Sequence, residues 1–422
     1  MKKYDVIVAG AGPSGMMAAI AASENGAHTA LIDKNPKVGK KLLMTGGGRC
    51  NVTNRHSVEE IITHIPGNGR FLHSAFAQFS NLDIINFFEK NGIALKEEDH
   101  GRMFPITNKS KTIVDALFDK LQELGIDYFP SSAVTQLNIK DGTIKGLETE
   151  TDSFKASCVI LSTGGRAYPS TGSTGDGYKL ARKAGHTITP LYPTEAPLVS
   201  SEKFISERTL QGISLRDIRL SVLNSKGKTL VEHRMDMLFT HFGISGPAAL
   251  RCSSFINQEL AKGAETVTVL LDSFPDISTA QLLNELKQTA HGNNKAVKNA
   301  FASLTQERFL LFLLHQAQID ADIPAKQLTE KQLEKFCSLL KALSIQISKT
   351  FPIEKSFVTG GGVQLKEINP KTMESKLIPG LYIAGELLDI NGYTGGYNIT
   401  CAFVTGHVAG SHAAEMSSYM KY

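Results

Sequence analysis

Apolar and polar positions change period repeatedly along the chain, and each change marks an element. Asp5-Val6-Ile7-Val8-Ala9 is an apolar, β-branched run, the pattern of a strand buried on both faces, and it stops at Gly10. Met16-Met17-Ala18-Ala19-Ile20-Ala21-Ala22 consists of strong helix formers, and Thr29-Ala30-Leu31-Ile32 is strand-like again. Amphipathic helical spacing recurs near 74–91 and 110–124, with Gly101-Arg102-Met103-Phe104-Pro105 expected as a loop between them. Alternating runs at 134–139 and 143–147 flank a turn at Asp141-Gly142, and Cys158-Val159-Ile160-Leu161 completes a three-stranded meander. A helix is expected at 178–184. From about Leu191 the pattern shifts to short alternating strands, with a turn at Asn224-Ser225-Lys226-Gly227 and a helix start at Pro247. Residues 276–347 carry helical stripes, one opened by the capping box Thr329-Glu330-Lys331-Gln332. The early pattern then returns as a strand at 380–384 and a helix from about Thr400.

The punctuation between the first strand and helix carries chemistry. Gly10-Ala11-Gly12-Pro13-Ser14-Gly15 fits G-x-G-x-x-G and opens straight into the helix. Gly10 permits the tight turn, Gly12 lets backbone approach a pyrophosphate, and Gly15 lets helix and strand pack closely. Free amides and the positive helix end then face the phosphates. Asp33 ends the second strand, where a carboxylate can accept the ribose hydroxyls of an adenosine.

Composition narrows the class. A chain of 422 residues, 41% hydrophobic and 20% charged, is globular and long enough for two or three domains. Its start resembles no signal peptide, and Phe309-Leu310-Leu311-Phe312-Leu313-Leu314 is too short to span a bilayer. A cytoplasmic protein without membrane attachment is therefore expected. Five cysteines with no C-x-x-C pair argue against structural disulfides, zinc and the disulfide reductases. Between 34 and 57 stand Lys34, Lys37, Lys40, Lys41, Arg49 and Arg55 with no Asp or Glu. That stretch either balances cofactor phosphates, forms a solvated face, or holds a polyanion.

The segment Thr45-Gly46-Gly47-Gly48-Arg49-Cys50-Asn51-Val52-Thr53-Asn54, soon after the dinucleotide fingerprint, resembles the bacterial flavoproteins called BaiN-like or YhiN-like, NAD(P)/FAD-dependent oxidoreductases. The resemblance implies an α/β fold: a Rossmann-like FAD-binding domain of the two-dinucleotide-binding type, with an inserted β-barrel and helical subdomain. The expected boundaries are 1–190 plus 350–422 for the FAD domain, 191–275 for a barrel or sandwich, and 276–349 for a helical insert. Thr163-Gly164-Gly165 resembles a second FAD motif, and Gly385-Glu386 with Asp389 and Gly395-Gly396-Tyr397-Asn398-Ile399 resembles a carboxyl-terminal one. The expected FAD site joins these residues to Gly10, Gly12, Pro13, Ser14, Gly15, Asp33, Lys34, Lys41, the 45–51 loop and Val134. No second G-x-G-x-x-G follows a strand, so NAD(P)H is expected as a transient reductant.

For proton transfer the candidates are Cys50, with Arg49 beside it, and Tyr168 should Cys50 only pack under the flavin; His241 is a weaker one. The family's members imply two chemistries. One is reduction of uridine to dihydrouridine in large-subunit ribosomal RNA, with Lys40, Lys41, Arg49, Arg55, Lys109, Lys111 and Arg166 holding the RNA backbone. The other is oxidation of a small amine such as aminoacetone. A flavin-bound redox sensor or ribosome-assembly factor is the non-enzymatic alternative, and the oligomeric state is open.

Overall fold

A computed structural model describes residues 2–419, which form two compact units, one of residues up to 192 together with 353 onward, the other of 193–352. The first unit is an α/β sandwich. The strands of its main sheet and three of its helices, in chain order, are β1 (Lys2–Ala9), α1 (Pro13–Glu24), β2 (Thr29–Ile32), β3 (Asp127–Phe129), β4 (Val134–Lys140), β5 (Thr143–Thr149), β6 (Ser153–Leu161), α2 (Asp176–Lys183), β7 (Leu381–Ile383) and α3 (Tyr397–Tyr419). The parallel order is β3-β2-β1-β6-β7, the Rossmann arrangement. The amino half of β6 pairs antiparallel with β5, while its carboxyl half pairs parallel with β7. One long strand therefore joins the nucleotide sheet to the β4–β5 meander. Val6, Ile7, Val8 and Ala9 are fully buried, as a strand covered on both faces requires.

Small residues set how the layers pack. A Cβ on Gly15 would lie 1.7 Å from the Gly10 carbonyl oxygen, so only glycine lets α1 meet β1 there. On the same helix, a Cβ on Gly406 or Gly410 of α3 would lie 2.2 Å from the carbonyl of Ser14 or Ala18. α1 and α3 thus touch backbone to backbone along a G-x-x-x-G stripe.

The stretch expected as a loop at 101–105 is instead a strand, Arg102–Pro105, between Thr53–Asn54 and Leu95–Glu98. Met103 and Phe104 are buried, so their side chains supply the core contact that makes this segment extended. The last helix begins at Tyr397, three residues before the expected Thr400, because its first turn starts directly at Gly396.

In the second unit the antiparallel order runs Leu343–Ile347, Val267–Asp272, Ser214–Leu223, Thr229–Phe239, Gly243–Ser245, Leu198–Val199, Lys349–Thr350. The first and last members are consecutive pieces of one extended segment, so the sheet closes on itself as a small barrel. Asn224 Oδ1 accepts the amides of Lys226 and Lys228, both at 2.9 Å, and fixes the hairpin turn. The helices Thr279–Ala290 and Glu330–Ala342 open with capping boxes at Ser278 and Thr329. Barrel strands and helices share one core, with Phe239, Val269, Leu282, Phe309 and Phe336 in contact with the same cluster. The helical stretch is therefore built onto the barrel and is not a separate body. Among the described residues no helix is long and apolar enough to cross a membrane.

Two outcomes follow for stability. Gly410→Ala should lose about 2 kcal/mol, read as a lower urea midpoint, because the neighbour that must give way is backbone. His407, whose ring lies flat on Phe79 at 3.9 Å, is held neutral: burial pushes its imidazole down to about 4, against a small upward pull from Asp83. The unfolded chain takes up that proton near pH 6.5, so this contribution is complete above 6.5 and is lost as pH falls towards 4. Unfolding measured at pH 7 and pH 5 should show the loss, and His407→Phe, which keeps the stack, should flatten it.

Candidate active site

The fingerprint turn is held by the acid that ends β2. Ala11 donates its amide to Asp33 Oδ2 at 2.5 Å, and Asn35 donates to Asp33 Oδ1 at 2.6 Å. Gly10, at φ +108°, turns the chain there, and its amide donates to Ile32 at 2.8 Å. Gly12 has no atom within 4 Å of a Cβ position, so the protein leaves its outer face open. Pro13 starts α1, and Ser14 follows with a buried hydroxyl that has no hydrogen-bond partner among the described residues. Ser132 donates its amide to the Asp33 carbonyl at 2.8 Å, which brings the start of β4, with half-buried Val134, to the same end of the sheet. Lys34 bridges Asp176 at 2.6 Å and bonds Thr174, and Lys34 together with Thr174 holds the Asp176 carboxyl below its usual range.

The loop from Lys41 to Asn51 is a short 3-10 segment broken at Gly46 and Gly47, which with Gly48 and Cys50 have φ between +57° and +84°. Gly47 and Gly48 face open space, while a Cβ on Gly46 would meet the Asn51 amide at 2.9 Å. Thr45 closes the turn, its hydroxyl donating to Leu42 at 2.7 Å and its carbonyl accepting the Cys50 amide at 3.0 Å. Asn51 is 7% exposed and its Oδ1 has no partner.

Lys41 ties this loop to the carboxyl-terminal segment. Its ammonium bonds Glu386 Oε2 at 2.8 Å, and the other carboxylate oxygen, Oε1, accepts the Thr359 amide at 2.9 Å. Thr359 Oγ1 in turn accepts the amides of Arg166 and Ala167, at 2.8 and 3.0 Å. Three chain-distant segments therefore meet on Glu386 and Thr359. Thr359, set in the run Thr359-Gly360-Gly361-Gly362, is a site residue that pattern reading passed over, because that run lacks dinucleotide spacing. At the end of β6, Thr163 has a buried hydroxyl without a partner, Gly164 has φ +74°, and Gly165 packs on Thr359 and Glu386. Beyond Gly385, burial raises the Asp389 carboxyl above its ordinary value against bonds from Thr189 and the Gly361 amide.

Before α3, Gly395 and Gly396 have φ +130° and +94°. The amides of Tyr397, Asn398 and Ile399 precede the first helical bond, Thr400 to Gly396 at 2.9 Å, and give this end a positive potential. Their side chains have other partners. Asn398 clamps residues 392 and 393, and the Tyr397 ring stacks on His64 at 4.7 Å. Asn54, fully buried, donates to the Gly395 carbonyl at 3.1 Å and links the glycine loop to the helix start.

The proton-transfer candidates fare unequally. Cys50 is completely enclosed, and burial pushes its thiol up to about 12 despite a bond to Thr45. In this structure the Cys50 thiol packs in the interior and faces no open surface. Arg49 lies over the Phe104 ring at 4.2 Å and bonds both Glu98 oxygens, at 2.9 and 3.0 Å; Lys96 and Arg49 hold that carboxyl below its usual range. Its guanidinium serves the small sheet rather than Cys50. Tyr168 is half-buried at φ +54°, its ring 5.7 Å from that of Phe357, and its hydroxyl bonds no other described residue. His241 lies in the second unit, against Phe242.

Ser14, Asn51 and Thr163 thus present three buried oxygens without partners among the described residues, from three of the four segments expected to touch the cofactor. Buried polar atoms are otherwise almost always satisfied, so this set fits a long ligand with its own donors. With open Gly12, Gly47 and Gly48, the residues fit a dinucleotide lying from Asp33 to the α3 start.

The profile of the HI0933-like protein Rossmann domain matches residues 4–412. The chain is 33% identical over 406 residues to a ribosomal RNA dihydrouridine synthase of Escherichia coli, covering 96% of each. It is 31% identical over 414 residues to a 3-dehydro-bile acid delta(4,6)-reductase of Clostridium scindens, covering 97% of this chain and 98% of that one. Among solved structures, a 3-ketosteroid delta1-dehydrogenase of Sterolibacterium denitrificans superposes with TM-score 0.52 at 14% identity, over 98% of this chain and 100% of that one, which shows a shared fold.

Gly12→Ala should leave unfolding of the FAD-free chain unchanged, since no protein atom is met, and should cut bound FAD at least tenfold, read from absorbance after gel filtration. Retained FAD would remove Gly12 from the site.

Proposed function

Because this chain belongs to the HI0933-like family and is an FAD-dependent oxidoreductase, we propose that it reduces a carbon–carbon double bond conjugated to a carbonyl, with uridine in large-subunit ribosomal RNA as the favoured substrate. One observation carries this reading. Two relatives of nearly full-length similarity are named for unlike substrates, a ribosomal uridine and a bile acid, whose reducible groups share that conjugated bond.

FAD, when bound, supplies hydride transfer, and NAD(P)H is the proposed reductant. The chain's own groups bind, orient and protonate. The open glycines would admit the pyrophosphate, Asp33 would take the adenosine ribose, and the amides at 397–399 would stabilise negative charge on the flavin's pyrimidine carbonyl. The Tyr168 hydroxyl is the proposed donor of the proton that completes saturation of the uracil 5,6 bond. The ribosomal base must be unstacked to reach this site.

A second reading, a small conjugated substrate, is favoured by how the expected RNA-holding cations are used. Lys41, Arg49, Arg55, Lys111 and Arg166 pair with Glu386, Glu98, Glu97, Asp115 and Glu354. Only Lys40 and Lys109 of the seven make no ion pair among the described residues.

Nucleoside mass spectrometry of large-subunit ribosomal RNA, from a strain lacking the gene and a complemented strain, tests the substrate. Dihydrouridine should vanish and return; an unchanged level would transfer the proposal to a small substrate. In the purified enzyme Tyr168→Phe should slow product formation by about a hundredfold or more with flavin reduction by NAD(P)H intact, while Cys50→Ala stays within a few-fold of the parent. The opposite pattern would make Cys50 the donor.

A further inference from the structure

One group of cations of the first unit lies away from the glycine loop and without ion pairs among the described residues. Lys140, Lys145, Lys155 and Lys183, from β4, β5, β6 and α2, line a groove of about 610 Å³ on the outer face of the meander, with Gln136 and Asn138 among its polar lining. All four lysines are exposed, and none makes an ion pair among the described residues. β1 adds a fifth cation, because Lys3 stands in register beside Lys155. Two acidic residues stand beside the groove: Glu148 lies in register between Gln136 and Ser153, and Asp141 occupies the turn after Lys140.

This placement has an electrostatic cost. Four exposed lysines held close together repel one another, and none of them is ion-paired with Glu148 or Asp141 among the described residues, whereas Lys34 and Lys41 are neutralised by Asp176 and Glu386. We propose that this groove is a phosphate-backbone docking surface for RNA, one that holds a segment of the ribosomal RNA substrate; the proposal rests on the ribosomal reading above. Lysine suits the role as a mobile point charge that follows a backbone without reading sequence. The groove is concave with polar groups in its lining, and Ile139, 36% exposed, is its exposed apolar member. That shape fits a strand of phosphates better than the flat face of an anionic bilayer.

The test uses the full-length, FAD-loaded enzyme and a fluorescently labelled fragment of large-subunit ribosomal RNA. Anisotropy titrations over a range of salt compare the parent with Lys140→Gln/Lys145→Gln/Lys155→Gln/Lys183→Gln. Loss of four phosphate contacts should make the slope of log affinity against log salt shallower by about three and weaken binding at least tenfold in moderate salt. Flavin reduction by NAD(P)H should be unchanged, which shows that the variant is folded. Equal affinity and slope in the two proteins would overturn the proposal, as would a variant that loses binding to phosphatidylserine vesicles while keeping RNA. Formation of dihydrouridine is scored separately. A parent that binds through these lysines yet modifies no uridine keeps the groove and removes the substrate reading; a parent that modifies uridine while the variant binds equally well does the reverse.

Discussion

Backbone-to-backbone contact on both sides of α1 is the constraint on which the rest of the first unit depends. Gly15 admits the Gly10 carbonyl on one side, and Gly406 and Gly410 admit Ser14 and Ala18 on the other. No other residue type leaves room at these places. The same three glycines fix where the helix start sits relative to the sheet end, and so where its free amides point. Ser14, whose hydroxyl lacks a partner, belongs to the very turn held from both sides. Cofactor geometry and packing of the third layer are thus one property of the chain.

Elements whose cause lies within a few residues could be read directly from sequence. The fingerprint, Asp33, the Asp141-Gly142 turn and the Thr329 capping box all depend on neighbours in the chain, and each has the conformation its residues prefer. The strand at Arg102–Pro105 could not be read so, because Met103 and Phe104 become extended by burying themselves beneath distant residues. Tertiary packing outweighed a local pattern that suited a loop.

Charge shows the same division more sharply. Six cations without an acid between 34 and 57 read as an electropositive stretch, yet Lys34, Lys41, Arg49 and Arg55 find carboxylates at Asp176, Glu386, Glu98 and Glu97. A one-dimensional count cannot see partners that arrive from 42 to 345 residues away. Cys50 is a related case. Its neighbours promised a reactive, electropositive setting, but Arg49 turns outward onto Phe104 and the thiol turns inward. Glu386 and Thr359 illustrate the converse, a junction whose members share no motif because their hydrogen bonds run to chain-distant segments at 41 and 166–167.

The barrel closes through one segment, Leu343–Thr350, which pairs with Val267–Asp272 at its start and with Leu198–Val199 at its end. Phe351 then donates its amide to Pro197 at 2.9 Å, so the entry and exit of the second unit lie side by side. A body whose two ends meet can be spliced into a turn of another fold with little demand on the host. The barrel is a cassette in evolutionary terms: it can be lengthened, exchanged or retuned while the nucleotide sheet keeps its register. Changes of length and sequence can accumulate there without touching α1 and its glycines.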